Sequence, residues 1–242
     1  MSRVLTIHQP NFFPWIGFFL KIAKADIFYV FDHIPVTTGK GWHSRTKIIL
    51  NCEQYWLTVP IKKKNLSGQL YSEIEINTQS NFVKKHLGTL RQSYAKSYFF
   101  DEVMEFLKEV YSYKTVKLCE FNINIIKGLC QRINLKVDFI KTSSFLEKYP
   151  ELQTLSGNDL VLRLAEISRC DTYFSGSGCL DFIKPESFTK KNINFIFQKF
   201  DNINYNKNLQ SNNQKFGISI INDLMHTGFA GVQRLIEDIN GK

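Results

Sequence analysis

Two prolines, Pro10 and Pro14, cut an apolar opening into a strand and a helix, and that cut constrains the rest of the chain. Val4-Leu5-Thr6-Ile7 is a β-branched and aliphatic run suited to a strand. Proline cannot continue a sheet or a helix interior, but at Pro14 it suits the first turn of a helix, where its missing N–H costs nothing. The polar residues His8, Gln9 and Asn11 therefore fall on the connection. In an open α/β sheet, ligands bind outside the carboxyl ends of the strands, so these three residues are the first site candidates. Trp15, Phe18 and Phe19 have the spacing of one helix face and read as core.

A second apolar run, Asp26-Ile27-Phe28-Tyr29-Val30-Phe31, predicts a buried strand. Strand, helix and strand within some thirty residues make a βαβ unit, whose right-handed crossover sets the two strands parallel. Asp32 then lies on the same sheet edge as His8. An imidazole with a carboxylate nearby is an acid/base pair, so His8 and Asp32 are the catalytic candidates, His8 as general base. An ordinary turn or cap is the other reading of Asp32.

Residues 44–50 and 54–61 predict a hairpin, with His43, Arg45 and Lys47 alternating onto one cationic face. Such a face suits a diphosphate, Arg45 by its two-pronged geometry, or else protects an edge strand. Residues 71–76 alternate like a strand, and residues 82–94, 100–113 and 116–133 carry helical periodicity without a strand between them. The chain is thus expected to be a single α/β domain over residues 1–242, a mostly parallel or mixed central sheet flanked by helices, with a helical lobe at residues 80–134. The lobe shows no chemistry. Strands are expected again at 136–140, 172–174 and 194–197, with a helix at 160–167. The middle one of these strands, 172–174, runs into Ser175-Gly176-Ser177-Gly178, whose N–H groups and hydroxyls suit a phosphate or a sugar hydroxyl, or a plain tight turn. Residues 202–214, with Tyr205, are the longest loop and a candidate lid. Helices are expected at 218–225 and 228–236, with Ser219 and Asp223 sharing a face.

Composition removes several classes. The formal charge is +9, but the basic residues are scattered apart from Lys62-Lys63-Lys64, and no zinc spacing or recognition motif accompanies them. Nucleic acid is not an expected partner. The five cysteines form no Cys-x-x-Cys pair and are odd in number, which is expected of reduced thiols in the cytoplasm. No apolar run approaches the ~18 residues of a membrane span, and the opening strand leaves no room for a signal peptide. Motifs for a metal, NAD or PLP are missing, as are the P-loop and the Gly-x-Ser-x-Gly elbow, so no cofactor is assigned.

His8-Gln9-Pro10-Asn11, followed by Pro14-Trp15-Ile16-Gly17-Phe18-Phe19, Lys21-Ile22 and Ala25-Asp26, resembles the opening of the WbqC-like family. Trp42 with Arg45-Thr46-Lys47-Ile48, Trp56-Leu57-Thr58-Val59-Pro60, Tyr173-Phe174-Ser175-Gly176, Tyr205, Gln210, and Phe216 with Ser219-Ile220-Ile221-Asn222-Asp223-Leu224 and Gly228 continue the resemblance over nearly the whole chain. Two positions depart from the pattern: Asp32-His33 stands where a pair of acidic residues is usual, and Ser44 where an Asn is expected. The resemblance implies a setting in bacterial O-antigen, capsule or related glycan synthesis, and hence an enzyme acting on activated sugars. The expected activity is transfer of an acyl or aminoacyl group to an amino or hydroxyl group of a nucleotide-linked sugar; no cofactor is assigned, and an acyl donor is compatible with this reading. Gln9, Asn11, Trp42, Arg45, Lys47, Ser175, Ser177, Tyr205, Ser219 and Asp223 are the expected substrate contacts. A nucleotidyltransferase- or glycosyltransferase-like enzyme and a non-catalytic glycan-binding protein are the alternatives.

Overall fold

A computed structural model of the chain describes residues 2–36, 41–62, 68–200 and 217–241. Tyr205, Gln210, Phe216 and the proposed lid lie outside the described residues. The chain divides into two compact units, one formed by Met1–Gln9, Leu20–His33 and Leu135–Phe200, the other by Pro10–Phe19, Ile34–Asn134 and Asp201–Lys242.

The first unit holds a sheet of five strands: β1 (Val4–His8), β2 (Ile27–Val30), β5 (Asp138–Lys141), β6 (Thr172–Ser175) and β7 (Asn194–Phe197). All neighbours pair in parallel, in the order β5-β2-β1-β6-β7. The expected parallel pairing of the first two strands is therefore present, with His8 opposite Val30. Leu5, Ile27, Phe28 and Tyr173 are buried at 1% exposure or less, as strands covered on both faces require. Helix α1 (Ile16–Ile22) leads from β1 to β2 and closes in two turns in which Lys24 and Ala25 N–H donate to the carbonyls of Lys21 and Ile22. Helix α5 (Gly157–Ser168) packs on β1 and α6 (Pro185–Thr189) on β7.

The second unit contains the hairpin of β3 (Arg45–Leu50) and β4 (Glu53–Thr58), paired antiparallel through Asn51 and Cys52. Those two residues have φ of 51° and 64°, the left-handed geometry of a two-residue turn whose twist matches the strands. Helices α2 (Phe82–Tyr94), α3 (Phe100–Tyr111) and α4 (Leu118–Arg132) occupy the expected helical lobe. Leu90, Val103, Phe106, Phe121, Ile125 and Leu129 form its core. Residues 71–76 are not the expected strand. Tyr71–Glu73 is a 3-10 turn, because the Glu73 carboxylate accepts from Leu70 N–H at 3.1 Å and the Tyr71 ring is fully buried. The alternation instead records which residues, Tyr71, Ile74 and Ile76, face inward.

The two helices expected at the C-terminal end are both present, meeting within α7 (Ile220–Asn240) at Gly228, where the backbone is non-helical. Gly228 has φ 68° and ψ 178°, and a Cβ there would lie 2.6 Å from the Phe99 ring. Both the backbone and the space therefore demand glycine. Gly228→Ala should cost ~1–3 kcal/mol, the scale of a strained backbone position. A lowered thermal midpoint checks this; an unchanged one would show that the kink relaxes freely.

Candidate functional site

The strand order sets the location. From β1 the chain builds outward through β2 and β5, then returns to the other side of β1 with β6 and β7, so the direction of winding reverses between β1 and β6. Connections leave such a switch point on opposite sides and open a crevice at the carboxyl ends of the strands. His8 ends β1 and Ser175 ends β6. Thr6 Oγ1 donates to the Phe174 carbonyl at 2.8 Å and fastens the two strand ends together.

His8 Nδ1 lies 2.8 Å from the Gln9 carbonyl, so Nδ1–H donates and the ring lone pair sits on Nε2. Burial, and then the charge of Lys21, push the imidazole pKa down to about 3, against a smaller opposing effect of the Gln9 hydrogen bond. His8 is uncharged across the physiological range. Lys21, from α1, is 2% exposed, and its Nζ donates to the Ile7 carbonyl at 3.2 Å. Burial lowers the amine pKa to about 7, partly offset by the Cys179 thiol. Its Nζ runs along Gly176, where an added Cβ would sit 3.7 Å away. Ser175 is fully buried, its Oγ donating to the Gly176 carbonyl at 3.3 Å, whereas Ser177 and Gly178 are exposed. One sheet edge thus gathers a neutral imidazole, a buried amine that loses its charge near neutral pH, and a small-residue turn.

Asp32 lies one strand over, at the carboxyl end of β2, as the βαβ topology requires. Both carboxylate oxygens are engaged: Oδ1 accepts from Ser143 N–H at 2.8 Å and Oδ2 from Ser143 Oγ at 2.7 Å, with Thr142 Oγ1 3.1 Å from Oδ1. Thr142 Oγ1 also lies 2.7 Å from His33 Nδ1. Asp32 clamps the ends of β2 and β5, the turn-and-cap reading of this residue.

In the second unit the turn between the two prolines is held from several elements at once. Asn122 on α4 donates Nδ2 to the Pro10 carbonyl at 2.8 Å and the His43 carbonyl at 2.7 Å, and the Tyr71 hydroxyl donates to the Pro10 carbonyl as well. Phe13 takes the left-handed φ of 38°, and its carbonyl accepts from Thr46 Oγ1 at 2.9 Å and Ser219 Oγ at 3.0 Å. Ser219 is fully buried and caps α7 through Ile221 N–H; Asp223 is 1% exposed. These two expected substrate contacts lie in the interior. Asn11 is half-buried. His43 leaves the expected cationic row, since it is buried, and burial with the neighbouring Arg45 charge lowers its pKa. Arg45 and Lys47 do share a face, stacked on aromatic rings. The Arg45 guanidinium lies 3.8 Å from the Trp56 ring, Lys47 Nζ 5.1 Å from Trp56 and 5.7 Å from Trp42, and the two Trp rings are 5.2 Å apart. Trp42 is 43% exposed.

The sequence pattern of the WbqC-like protein family matches residues 9–234. The chain belongs to the WbqC-like family. A relative is the uncharacterized protein Rv1507c of Mycobacterium tuberculosis, 23% identical over 228 residues, which span 93% of this chain and 94% of the relative. No solved structure matches. Within this WbqC-like chain, Lys21 is a candidate site residue that the sequence-based expectations omit. The available signal is a lone cation in Ile16-Gly17-Phe18-Phe19-Leu20-Lys21-Ile22, a helix otherwise apolar all round. Among the described residues no cluster of three or more His, Cys, Asp or Glu is placed to hold a metal ion, and no helix is long and apolar enough to cross a membrane.

Proposed function

We propose that this WbqC-like protein is a cytoplasmic enzyme of bacterial surface-polysaccharide synthesis, a transferase that moves an acyl or aminoacyl group onto a nucleotide-linked amino sugar. The observation that carries the catalytic reading is the pairing of neutral His8 with buried Lys21 at the switch point between β1 and β6. A structural role alone gives no reason to bury an amine beside an imidazole at the ligand-binding edge of a parallel sheet. The sugar-nucleotide part rests on the resemblance of His8-Gln9-Pro10-Asn11 and the later segments to the family. His8 Nε2 accepts a hydrogen bond from the attacking amino or hydroxyl group and orients it, and Asp32 holds the neighbouring strand ends in place. Burial, and then the charge of Lys21, hold the His8 pKa down at about 3, which makes its imidazole a weak base at neutral pH.

The face of Arg45 and Lys47 binds the diphosphate, and the Trp rings beneath it offer a stacking surface for a base. Arg45→Ala should weaken binding of nucleoside diphosphates by ~1.5–3 kcal/mol, the scale of a charge-assisted hydrogen bond. Calorimetry on wild type and variant with the four common nucleoside diphosphates tests this. Equal affinities, or no binding to the wild type, would remove the phosphate site.

One feature favours the glycan-binding alternative. A groove of about 700 Å³ in the second unit is lined by residues that include Phe82, Tyr111, Phe121, Ser80, Tyr113 and Lys114. A lining that mixes aromatic and polar side chains suits a pyranose ring. Binding of free oligosaccharides with no binding of any nucleotide would select that reading.

A further inference from the structure

We propose that Lys21 is the general base of the site, its amine taking the proton of the acceptor as the acyl group is transferred. This rests on the transferase reading and names the proton's destination. Lys21 Nζ reaches the carboxyl end of β1 at the Ile7 carbonyl, 3.2 Å away, and passes against Gly176 at the end of β6. The titratable groups that face it among the described residues are His8 from β1 and Cys179 from the turn after β6. No carboxylate is among them, and the Ile7 carbonyl is the hydrogen-bond acceptor that the described residues offer its ammonium.

A buried ammonium with one carbonyl acceptor is poorly solvated, so the folded chain discharges it near neutral pH. A base is most effective when its pKa lies near the working pH, and of the two groups Lys21, at about 7, meets that condition while His8, at about 3, does not. In the step itself, the acceptor's nitrogen or oxygen forms a bond to the carbonyl carbon of an activated acyl donor such as a thioester. The bond from that carbon to the donor's leaving group breaks, the electron pair departing with the leaving group. The proton of the acceptor passes to Lys21 Nζ, and the resulting ammonium donates to the Ile7 carbonyl.

Two measurements on the full chain decide it without the natural substrate. The ε-carbon NMR signal of Lys21, assigned by its loss in Lys21→Arg, should titrate with a midpoint of about 7. p-Nitrophenyl acetate, used as a small acyl probe, should acetylate Lys21 roughly thirty-fold faster at pH 8 than at pH 5.5, the ratio of neutral amine that such a midpoint gives; peptide mass spectrometry locates the label. A midpoint above 9, or a Lys21 that stays unlabelled while surface lysines react, overturns the assignment. Failure of the transferase reading looks different: Lys21 titrates and is labelled as stated, yet no nucleotide sugar is acylated by any thioester.

Discussion

Lys21→Met should melt at a higher temperature than the wild type at pH 6, and the gain should shrink toward pH 10. The folded chain holds this amine at a pKa of about 7, against 10.5 when it is exposed. Between those values the unfolded state binds more protons, so the wild type gains stability as the pH rises through that window and bears the full cost of burial below it. A shift of that size corresponds to ~4–5 kcal/mol, and Met fills a similar volume without a charge. For a chain of this length that is on the order of 10 °C in melting temperature. Circular dichroism melts at pH 6, 8 and 10 check the sign and the trend. A variant no more stable than wild type at pH 6 would mean that the ammonium is comfortably solvated where it lies. Stability and function meet at this residue: an amine whose removal stabilises the fold is one whose burial serves something other than folding.

The opposite sign is expected at Asn122. Its side chain is fully buried, and its amide donates to the carbonyls of Pro10 and His43. Asn122→Leu preserves the volume but strands the His43 carbonyl and leaves Pro10 to Tyr71 alone. Each buried group left without a partner costs ~1–3 kcal/mol, so a loss of that size is expected in urea unfolding for the one stranded carbonyl. A loss under ~0.5 kcal/mol would show that the turn after His8 and Gln9 is held by its prolines rather than by this amide.

Local patterns made much of the fold legible. Pro10 and Pro14 placed the break between β1 and α1, the run ending at Phe31 placed β2, and helical spacing placed α2, α3 and α4 within a few residues of their observed ends. Non-local information was not legible. The order β5-β2-β1-β6-β7 depends on pairing between strands more than 160 residues apart, such as Val4 with Thr172, and no window of sequence shows that the winding reverses between β1 and β6. The same limit hid Lys21, since a lysine in an apolar helix can extend its amine to water or turn it inward, and only the packing of β1 and β6 decides. Ser219 shows the converse. Its hydroxyl looked available for substrate, but it is buried and donates to the Phe13 carbonyl, which the left-handed φ of Phe13 turns toward it. The hairpin face fell between these cases: alternation put Arg45 and Lys47 together, while the burial of His43 depends on Asn122 and Tyr71 far along the chain.

The central claim, that chemistry occurs at the edge between β1 and β6, is tested most directly by amide and side-chain NMR of the wild type titrated with UDP-glucosamine. Shifts are expected in His8, Gln9 and the turn from Ser175 to Cys179. Shifts confined to the groove of Phe82, Tyr111 and Phe121, with His8 and Gly176 unmoved at saturation, would contradict it.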